Sequence, residues 1–181
     1  MTVDKAARGR PAVLFDRDGV LNVDHGYVVD PAALDWMPGA RPAVRRLNEA
    51  GILAIVVSNQ SGVARGYFDE AAVDGFHAAM QAQLAEVGAH IDGFYYCPFH
   101  EDAVSEVYRH ADHPDRKPNP GMVLRAIADF GLDTARTVMI GDKASDMAAA
   151  RAGGVRGLLY EGGDLEALIT SLPFMGRDSD A

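Results

Sequence analysis

Short apolar runs alternate with amphipathic stretches along the whole sequence. Residues 52–57 are apolar throughout and rich in β-branched side chains, which predicts a strand buried on both faces. Residues 69–87 carry apolar side chains at helical spacing between Val73 and Leu84, and Asp69 is a candidate N-cap. The pattern therefore predicts repeated strand–helix units.

Strands and helices predicted in this way follow one another in near-regular alternation. The strands are 12–15, 52–57, 91–96, 137–140 and 155–160, and the helices are 39–50, 69–87, 122–130, 145–152 and 165–172. Such alternation favours an α/β fold, a doubly wound, mainly parallel Rossmann-like sheet with helices on both faces. Ligands of such sheets bind beyond the carboxyl ends of the strands, so the loops at that edge are the place to look for chemistry.

The chain of 181 residues fits a single domain, and no repeat, low-complexity segment or linker divides it. We expect this domain to span residues 11–172. Residues 1–10 are expected to be a flexible N-terminal segment and residues 173–181 a flexible tail. The first ten residues are polar and basic and lack the apolar region of a secretory signal.

Composition narrows the range of partners. The apolar content of 48% and the charged content of 24% are those of a soluble globular protein. A net charge of −9 argues against nucleic-acid and membrane partners, which select basic surfaces. Cys97 is the one cysteine, so no intrachain disulfide can form and a reducing compartment is expected. No apolar run reaches the length of a membrane span. These features predict a cytoplasmic protein, and we expect a monomer.

The first predicted strand is followed by Asp16-Arg17-Asp18-Gly19. Carboxylates at i and i+2 leave a strand on the same side, so both can face one pocket. A divalent cation relieves their repulsion, and oxygen ligands of this kind suit Mg²⁺. Taken alone, the segment is equally compatible with an ordinary polar turn.

Three further loops carry polar groups suited to binding phosphate. Ser58, Asn59, Gln60 and Ser61 follow the second strand and can donate hydrogen bonds to phosphoryl oxygens. Lys117 lies between prolines in a chain that has few lysines, and a rigidly held ammonium suits a developing phosphoryl charge.

The loop after the 137–140 strand places Asp142 directly behind the strand and Asp146 in the first turn of the next helix. Asp146 alone could be a favourable N-terminal charge of that helix. Together, Asp-x-Asp, Ser, Lys and Asp on four loops of one sheet edge predict a shared phosphoryl-transfer site.

The order Asp16-x-Asp18-Gly19, Ser58-Asn59, Lys117 and Gly141-Asp142-(x)₃-Asp146 resembles the four motifs of the haloacid dehalogenase superfamily of phosphatases. More narrowly, the segments at residues 16–22, 24–28, 59–66 and 116–122 resemble the heptose-1,7-bisphosphate 7-phosphatases. Histidinol-phosphate phosphatases are close relatives within that group. The resemblance runs from about Ala12 to Tyr160 and leaves no room for a large cap domain.

The resemblance implies a role for each motif residue. Asp16 is expected to be the nucleophile and Asp18 the general acid and base, with Ser58 and Lys117 binding the transferred phosphoryl group. Mg²⁺ is expected on Asp16, Asp18 (through its main-chain carbonyl) and Asp142. Asp146 is expected to orient Lys117 or the metal site. A phosphorylated sugar is the expected substrate, and the expected contacts are Asp24, His25, Gly26, Tyr27, Ser58, Asn59, Gln60, Ser61, Arg116, Lys117 and Lys143.

The chain departs from the heptose enzymes in one loop. Those enzymes commonly carry a structural zinc on a Cys-x-His pair and a later Cys-x-Cys pair. The corresponding positions here hold Cys97 and Phe99, then His113 and Asp115, so the ligand set is broken and structural zinc is not expected. Whether Cys97, His100, His110 and His113 bind any metal stays open.

Two alternatives remain at this point. One is a histidinol-phosphate or general small-molecule phosphomonoesterase of the same fold. The other is a phospho-receiver signalling domain, which is disfavoured because its phosphorylated Asp would follow the third strand, where this chain has Cys97-Pro98.

Overall fold

The computed structural model describes residues 9–175. The strands are β1 (Arg10–Phe15), β2 (Leu53–Asn59), β3 (Gly93–Cys97), β4 (Leu132–Gly141) and β5 (Arg156–Leu159). The α-helices are α1 (Ala40–Glu49), α2 (Glu70–Ala85), α3 (Gly121–Phe130), α4 (Ala144–Ala152) and α5 (Leu165–Thr170). Short 3₁₀ helices lie at Pro31–Ala33 and Glu106–Tyr108.

The strands form one sheet in the order β3-β2-β1-β4-β5, and every neighbouring pair is parallel. β1 is the central strand, with Val13 opposite Ala54 of β2 and Val138 of β4. The chain winds outward from β1 to β3 and then returns to the other side of β1 through β4. This reversal creates a crevice at the carboxyl ends of β1 and β4, which is where such sheets bind ligands.

Side chains of each central strand alternate between two apolar layers. Val13 and Phe15 of β1 pack in a core with residues of α1, α2 and α5. Ala12 and Leu14 point to the opposite face and pack with residues of α3 and α4. The predicted α/β fold, with helices on both faces of a parallel sheet, is therefore confirmed.

Some element bounds differ from the predicted ones. β4 begins at Leu132, directly after Gly131 ends α3 with a φ of 61°, whereas the hydrophobic pattern predicts a start at Thr137. Residues 133–136 are polar or solvent-facing, so they carry no apolar signal even though the backbone is extended. β1 begins at Arg10, which pairs with Leu132, so this residue belongs to the sheet and not to a flexible segment.

The predicted terminal segments lie mostly outside the described residues, which exclude 1–8 and 176–181. Within the predicted tail, Phe174 and Met175 are partly buried against the α1–α2–α5 core, so the domain extends at least to residue 175. Over residues 9–175, no helix combines the length and the apolar character needed to cross a membrane.

Candidate active site

A cleft of about 440 Å³ opens at the carboxyl edge of the sheet. Asp16 follows β1, Asn59 ends β2, and Gly141 ends β4 directly before Asp142. Predicted site residues on the cleft wall are Asp16, Asp18, Asp24, Gly26, Tyr27, Asn59, Gln60, Ser61, Arg116, Lys117 and Lys143. Asp146 and Ser145, from the first turn of α4, complete it. The parallel sheet thus brings loops that are distant in sequence to one place.

Lys117 lies at the centre of the deepest part of the cleft. Its Nζ is 2.9 Å from Asp16 Oδ1 and 2.7 Å from Asp146 Oδ1, and it donates a hydrogen bond to the Val57 carbonyl at 2.9 Å. Only 4% of the residue is exposed. Burial alone would lower the pKa of Lys117, but the Asp16 and Asp146 carboxylates outweigh burial and raise that pKa. The lysine is therefore a fixed cation between two carboxylates.

The backbone of Lys117 is held by Asn59. The Asn59 amide donates to the Lys117 carbonyl at 2.9 Å, and its Oδ1 accepts from the Lys117 N–H at 3.0 Å. These reciprocal bonds tie the end of β2 to the loop before α3. Asn59 thus positions the lysine, a role that the sequence did not reveal.

Three carboxylates crowd together beside Lys117. Asp16, Asp142 and Asp146 each offer an oxygen within 4.8 Å of the others. Burial raises the pKa of Asp142 to about 6; Lys143 opposes this shift, and Asp16 and Asp146 add to it. A Cβ at position 19 would collide with the Asp142 carboxylate, so Gly19, with φ of 86°, is required by this close approach.

This cluster fits a divalent cation. Asp142 Oδ1 is buried and has no hydrogen-bond partner within residues 9–175. Asp146 is differently placed, because its Oδ1 faces Lys117 and its Oδ2 accepts from the Lys143 N–H at 3.0 Å. An uncompensated buried carboxylate oxygen among crowded carboxylates is unfavourable, and a hard cation such as Mg²⁺ supplies the missing charge.

The Asp18 carboxylate lies outside this cluster. Arg17 donates to both of its oxygens, from Nε at 3.1 Å and from Nη2 at 2.9 Å. Asn22 donates to Oδ1 at 2.9 Å and Gln60 donates to Oδ2 at 3.0 Å. Because only the Asp-x-Asp spacing is visible in the sequence, the roles of Arg17 and Asn22 escaped prediction. Arg17 and Asp18 are adjacent in the sequence, but adjacency alone does not predict which side chains they contact.

Ser58 lies at the end of β2 and is buried. It is 1% exposed, and its Oγ accepts a hydrogen bond from Gln60 Nε2 at 2.8 Å. Gln60 lies on the cleft wall and Ser58 lies behind it. The hydroxyl is therefore buried at the end of β2, beneath the residue that faces the cleft.

The outer wall of the cleft carries charges of both signs. Lys143 Nζ is 3.5 Å from Asp24 Oδ2 across the opening. Arg116 is half-buried and donates to the Phe99 carbonyl at 3.3 Å, and burial lowers its pKa. Tyr27 is 49% exposed and has a φ of 53°, an unusual conformation for a residue other than glycine.

His25, a predicted substrate contact, is not among the residues that line this wall. Its Nε2 lies 3.2 Å from Asp35 Oδ2, and both side chains are more than half exposed. The contact depends on the chain returning next to residue 22, where Asn22 pairs with Trp36, and no sequence pattern signals that. His25 therefore lies at the rim of the cleft.

Residues 98–115 form a long connection that we call the outer loop. The Tyr108 hydroxyl donates to Glu70 of α2 at 2.7 Å, and the His110 N–H donates to the His100 carbonyl at 3.3 Å. Arg109 donates to the Ala103 carbonyl at 2.7 Å. The outer loop is also tied to other segments. The Val104 N–H donates to the Ala64 carbonyl at 2.9 Å, and Asp102 and Asp115 lie 3.5 Å from Arg65 and 3.1 Å from Arg125, respectively.

The histidines of the outer loop are engaged by its backbone. In each case Nδ1 accepts the N–H of the aspartate two residues later, at 3.0 Å for His100, 3.2 Å for His110 and 3.1 Å for His113. Cys97 Sγ lies 3.9 Å from His113 Nδ1. Among the residues described, Cys97 and these histidines do not form a set with mutually close ligand atoms. A nitrogen that accepts a hydrogen bond has no lone pair left for a metal.

The geometry is suited to nucleophilic attack on a phosphorus atom. The Asp16 carboxylate lies beside a buried ammonium and an acidic cluster, and a second carboxylate lies two residues away on the same cleft wall. The wall also offers Lys143 and Arg116 to further anionic groups.

Comparison with known proteins places this site in context. Residues 115–171 match a family described as "HAD-hyrolase-like". A D-glycero-beta-D-manno-heptose-1,7-bisphosphate 7-phosphatase of Rhodopseudomonas palustris is 43% identical over 165 residues, which cover 91% of each chain. The Vibrio cholerae protein of the same name is 45% identical over 147 residues, covering 81% of this chain and 78% of the relative.

Solved structures agree with these sequence relationships. A HAD-like protein of Mesorhizobium loti has 36% identity and a TM-score of 0.86, covering 96% of this chain and 90% of its own. The D,D-heptose 1,7-bisphosphate phosphatase of B. bronchiseptica, solved with magnesium and phosphate, has 30% identity and a TM-score of 0.74. That match covers 90% of this chain and 87% of the other.

Proposed function

The chain belongs to the family of D-glycero-beta-D-manno-heptose-1,7-bisphosphate 7-phosphatases, and from this premise we propose that it removes the 7-phosphate of that sugar with the help of Mg²⁺. Membership makes it a phosphoric monoester hydrolase. The observation that carries the proposal is the buried contact of Lys117 with both Asp16 and Asp146 at the base of the cleft. A cation in that place serves a transferred phosphoryl group.

Asp16 is the proposed nucleophile. One of its carboxylate oxygens attacks the phosphorus of the ester, the bond from phosphorus to the sugar oxygen breaks, and an aspartyl phosphate forms. Lys117, with its Nζ 2.9 Å from Asp16 Oδ1, stabilises the charge that develops on the phosphoryl oxygens. We assign Ser58 to the same phosphoryl site, acting from behind Gln60.

Asp18 is the proposed general acid and base. It supplies the proton that the departing sugar oxygen needs, and it then takes a proton from the water that attacks the phosphorus of the aspartyl phosphate. Inorganic phosphate leaves, Asp16 regains its carboxylate, and Asp18 regains its proton. Asp16 and Asp18 line the same cleft wall, which supports the proposal that both act on one ester.

We propose that Asp16, Asp142 and the main-chain carbonyl of Asp18 hold the Mg²⁺. Bound there, the ion supplies positive charge to the phosphoryl oxygens and to the crowded carboxylates. The unpartnered Asp142 Oδ1 supports this assignment. Asp146 instead fixes Lys117 and the start of α4, since both of its oxygens are already engaged.

The remaining contacts hold the sugar and its second phosphate. Arg116 and Lys143 are the cations of the outer wall, and Asp24 and Tyr27 face them across the cleft. Gly26, Asn59, Gln60 and Ser61 complete the proposed substrate wall. His25 is left out of the proposal because it is paired with Asp35 at the rim.

A cytoplasmic monomer, with its domain starting close to residue 11, remains our proposal for the state of the protein. The single cysteine, Cys97, is free and buried, as suits a reducing compartment. Size-exclusion chromatography with light scattering tests the monomer.

The function is tested by phosphate release from a substrate panel with Mg²⁺ or EDTA. The panel contains heptose 1,7-bisphosphate, fructose 1,6-bisphosphate, histidinol phosphate and p-nitrophenyl phosphate. We expect the highest kcat/KM for heptose bisphosphate and loss of turnover in EDTA. Preferred turnover of histidinol phosphate would overturn the substrate and leave the phosphatase chemistry standing. Turnover that survives EDTA would overturn the role of the metal.

A further inference from the structure

Arg17 is the largest fully buried side chain among the described residues. A fully buried arginine is rare unless its donors are satisfied. Two of its donors hold the Asp18 carboxylate, and Nη2 also donates to the Val28 carbonyl at 2.7 Å. Arg17 thus bridges the acidic motif and the segment that carries Tyr27.

The back of the guanidinium is also held. Its Cζ lies 4.6 Å from the centre of the Phe76 ring, and Nη1 lies 3.5 Å from His77 Nε2. Burial, and then the charge of Arg17, lower the pKa of His77 to about 3, so the ring is neutral and can accept from the guanidinium. His77 itself is stacked on Phe94, with ring centres 4.4 Å apart. The guanidinium therefore has one orientation.

That orientation is transmitted to Asp18. Each carboxylate oxygen accepts one N–H from Arg17 and one from an amide, Asn22 on Oδ1 and Gln60 on Oδ2. These donors approach the carboxylate from different sides, so its rotation is blocked. Bidentate arginine contacts are the strongest of these and fix both distance and plane.

We propose that Arg17 is the positioning residue of the reaction, setting the plane of the Asp18 carboxylate relative to the 24–28 segment that faces the substrate. The inference rests on the proposed function, since it concerns the residue assigned to proton transfer. Arg17 acts through Asp18 and through the Val28 carbonyl, from a position with no exposed surface.

The test compares substrates with poor and good leaving groups in Arg17→Lys. Lysine keeps the positive charge but cannot make the bidentate hydrogen bonds of arginine to the Asp18 carboxylate. In single-turnover experiments we expect phosphorylation by heptose bisphosphate to slow by about tenfold to a hundredfold, with KM changed less than about twofold, because oriented proton transfer contributes about 10²–10⁴. The p-nitrophenolate burst should slow less than about threefold, since that leaving group departs without a proton.

Leu84→Ala is the matched control. It removes a fully buried side chain from the same helix and leaves Phe76, His77 and the hydrogen bonds of Asp18 unchanged. It should lower stability without changing the ratio of the two substrates. If Arg17→Lys slows phosphorylation by the same factor for heptose bisphosphate and p-nitrophenyl phosphate, or slows neither, the inference is overturned.

Two further variants keep the test decisive. Should Arg17→Lys not fold, Asn22→Ser is used instead, because it removes one amide donor to Asp18 and leaves Arg17 in place. We expect the phosphorylation rate with heptose bisphosphate to fall less than about threefold. A fall in this rate as large as that in Asp18→Asn would overturn the inference. Asp18→Asn separates the two proposals. If Asp18→Asn leaves heptose bisphosphate turnover intact, the acid–base role of Asp18 fails and the inference falls with it. If Asp18→Asn loses turnover but Arg17→Lys slows both substrates equally, only the inference about Arg17 fails.

Discussion

The base of the cleft and the outer loop are held together in opposite ways. At the base, Asp16, Lys117 and Asp146 are almost fully buried and depend on one another for charge balance. The outer loop exposes large apolar side chains, with Val104 72% and Val107 75% exposed. It is held by hydrogen bonds and partly exposed ion pairs at separate points, such as Tyr108 to Glu70 and Arg65 to Asp102. The proposed phosphoryl chemistry thus lies in the part whose buried charges depend on one another.

The largest effect is expected from Asp16→Asn. Asparagine keeps the size of the side chain and removes the nucleophilic charge, so phosphate release should fall by at least ~10⁴-fold. The measurement is kcat on the best substrate of the panel. Asp129→Asn, at an exposed position on α3, is the control and should match the native enzyme. Activity within tenfold of native in Asp16→Asn would remove the proposed nucleophile.

Charge coupling at the base predicts a stability effect as well as a loss of activity. Lys117→Met leaves Asp16 and Asp146 facing each other without a cation. We expect the free energy of unfolding in urea, without Mg²⁺, to fall by about 3 kcal/mol, as when one partner of a buried ion pair is removed. The m-value should not change.

Lys143→Met gives the matched comparison, because Lys143 contacts Asp24 at 3.5 Å with its side chain 56% exposed. Its removal should change stability by less than about 0.5 kcal/mol. An equal change in the free energy of unfolding for the two lysine variants would mean that the buried ion pairs at the base of the cleft stabilise the protein no more than the exposed pair at its rim.

Much of the base could be predicted from the sequence, since Asp16 and Asp142 directly follow apolar strands of a parallel sheet. Strand order and handedness then bring their side chains together. The contacts of Asp18 could not be predicted, because a charged Arg17 between two aspartates is indistinguishable from a solvated residue until Phe76 and His77 pack on it.

The rim and the outer loop were the least predictable parts. The contacts of Ser58 with Gln60 and of His25 with Asp35 could not be predicted, because turns that leave no periodic signal bring these partners together. Glu70 accepts a hydrogen bond from Tyr108 of the outer loop, but in the sequence it looks like any acidic residue in the first turn of a helix. A pattern of apolar positions describes the core, whereas these contacts join polar groups across the surface.

The dependence of stability on acidic pH tests whether His77, which lies behind Arg17, is buried and neutral. The folded-state pKa of about 3 lies below the ordinary value of 6.5, so the unfolded chain binds a proton that the folded chain does not. Stability from His77 is therefore complete above pH 6.5 and falls as the pH drops towards 3, by up to about 1.4 kcal/mol per pH unit. In His77→Gln, the slope of the free energy of unfolding between pH 6 and 4.5 should become shallower by about this amount.

His90→Gln is the control for this slope. His90 is exposed, with 59% of its side chain accessible, and its Nε2 lies 3.3 Å from Asp92 Oδ1. Its variant should keep the native pH dependence. An unchanged slope in His77→Gln would show that the histidine behind Arg17 is not neutral and buried over this range.

The smallest effect is expected at the outer loop, where Tyr108→Phe removes one hydrogen bond to Glu70. Stability should fall by about 1 kcal/mol. Tyr95→Phe is its match, because Tyr95 makes a hydrogen bond of the same 2.7 Å length to Asp129, away from the cleft. If the outer loop borders the substrate, only Tyr108→Phe should also raise KM for heptose bisphosphate and speed proteolysis within residues 98–115. Identical KM values in the two variants would separate the outer loop from substrate binding, and its exposed, separable contacts would then serve the fold alone.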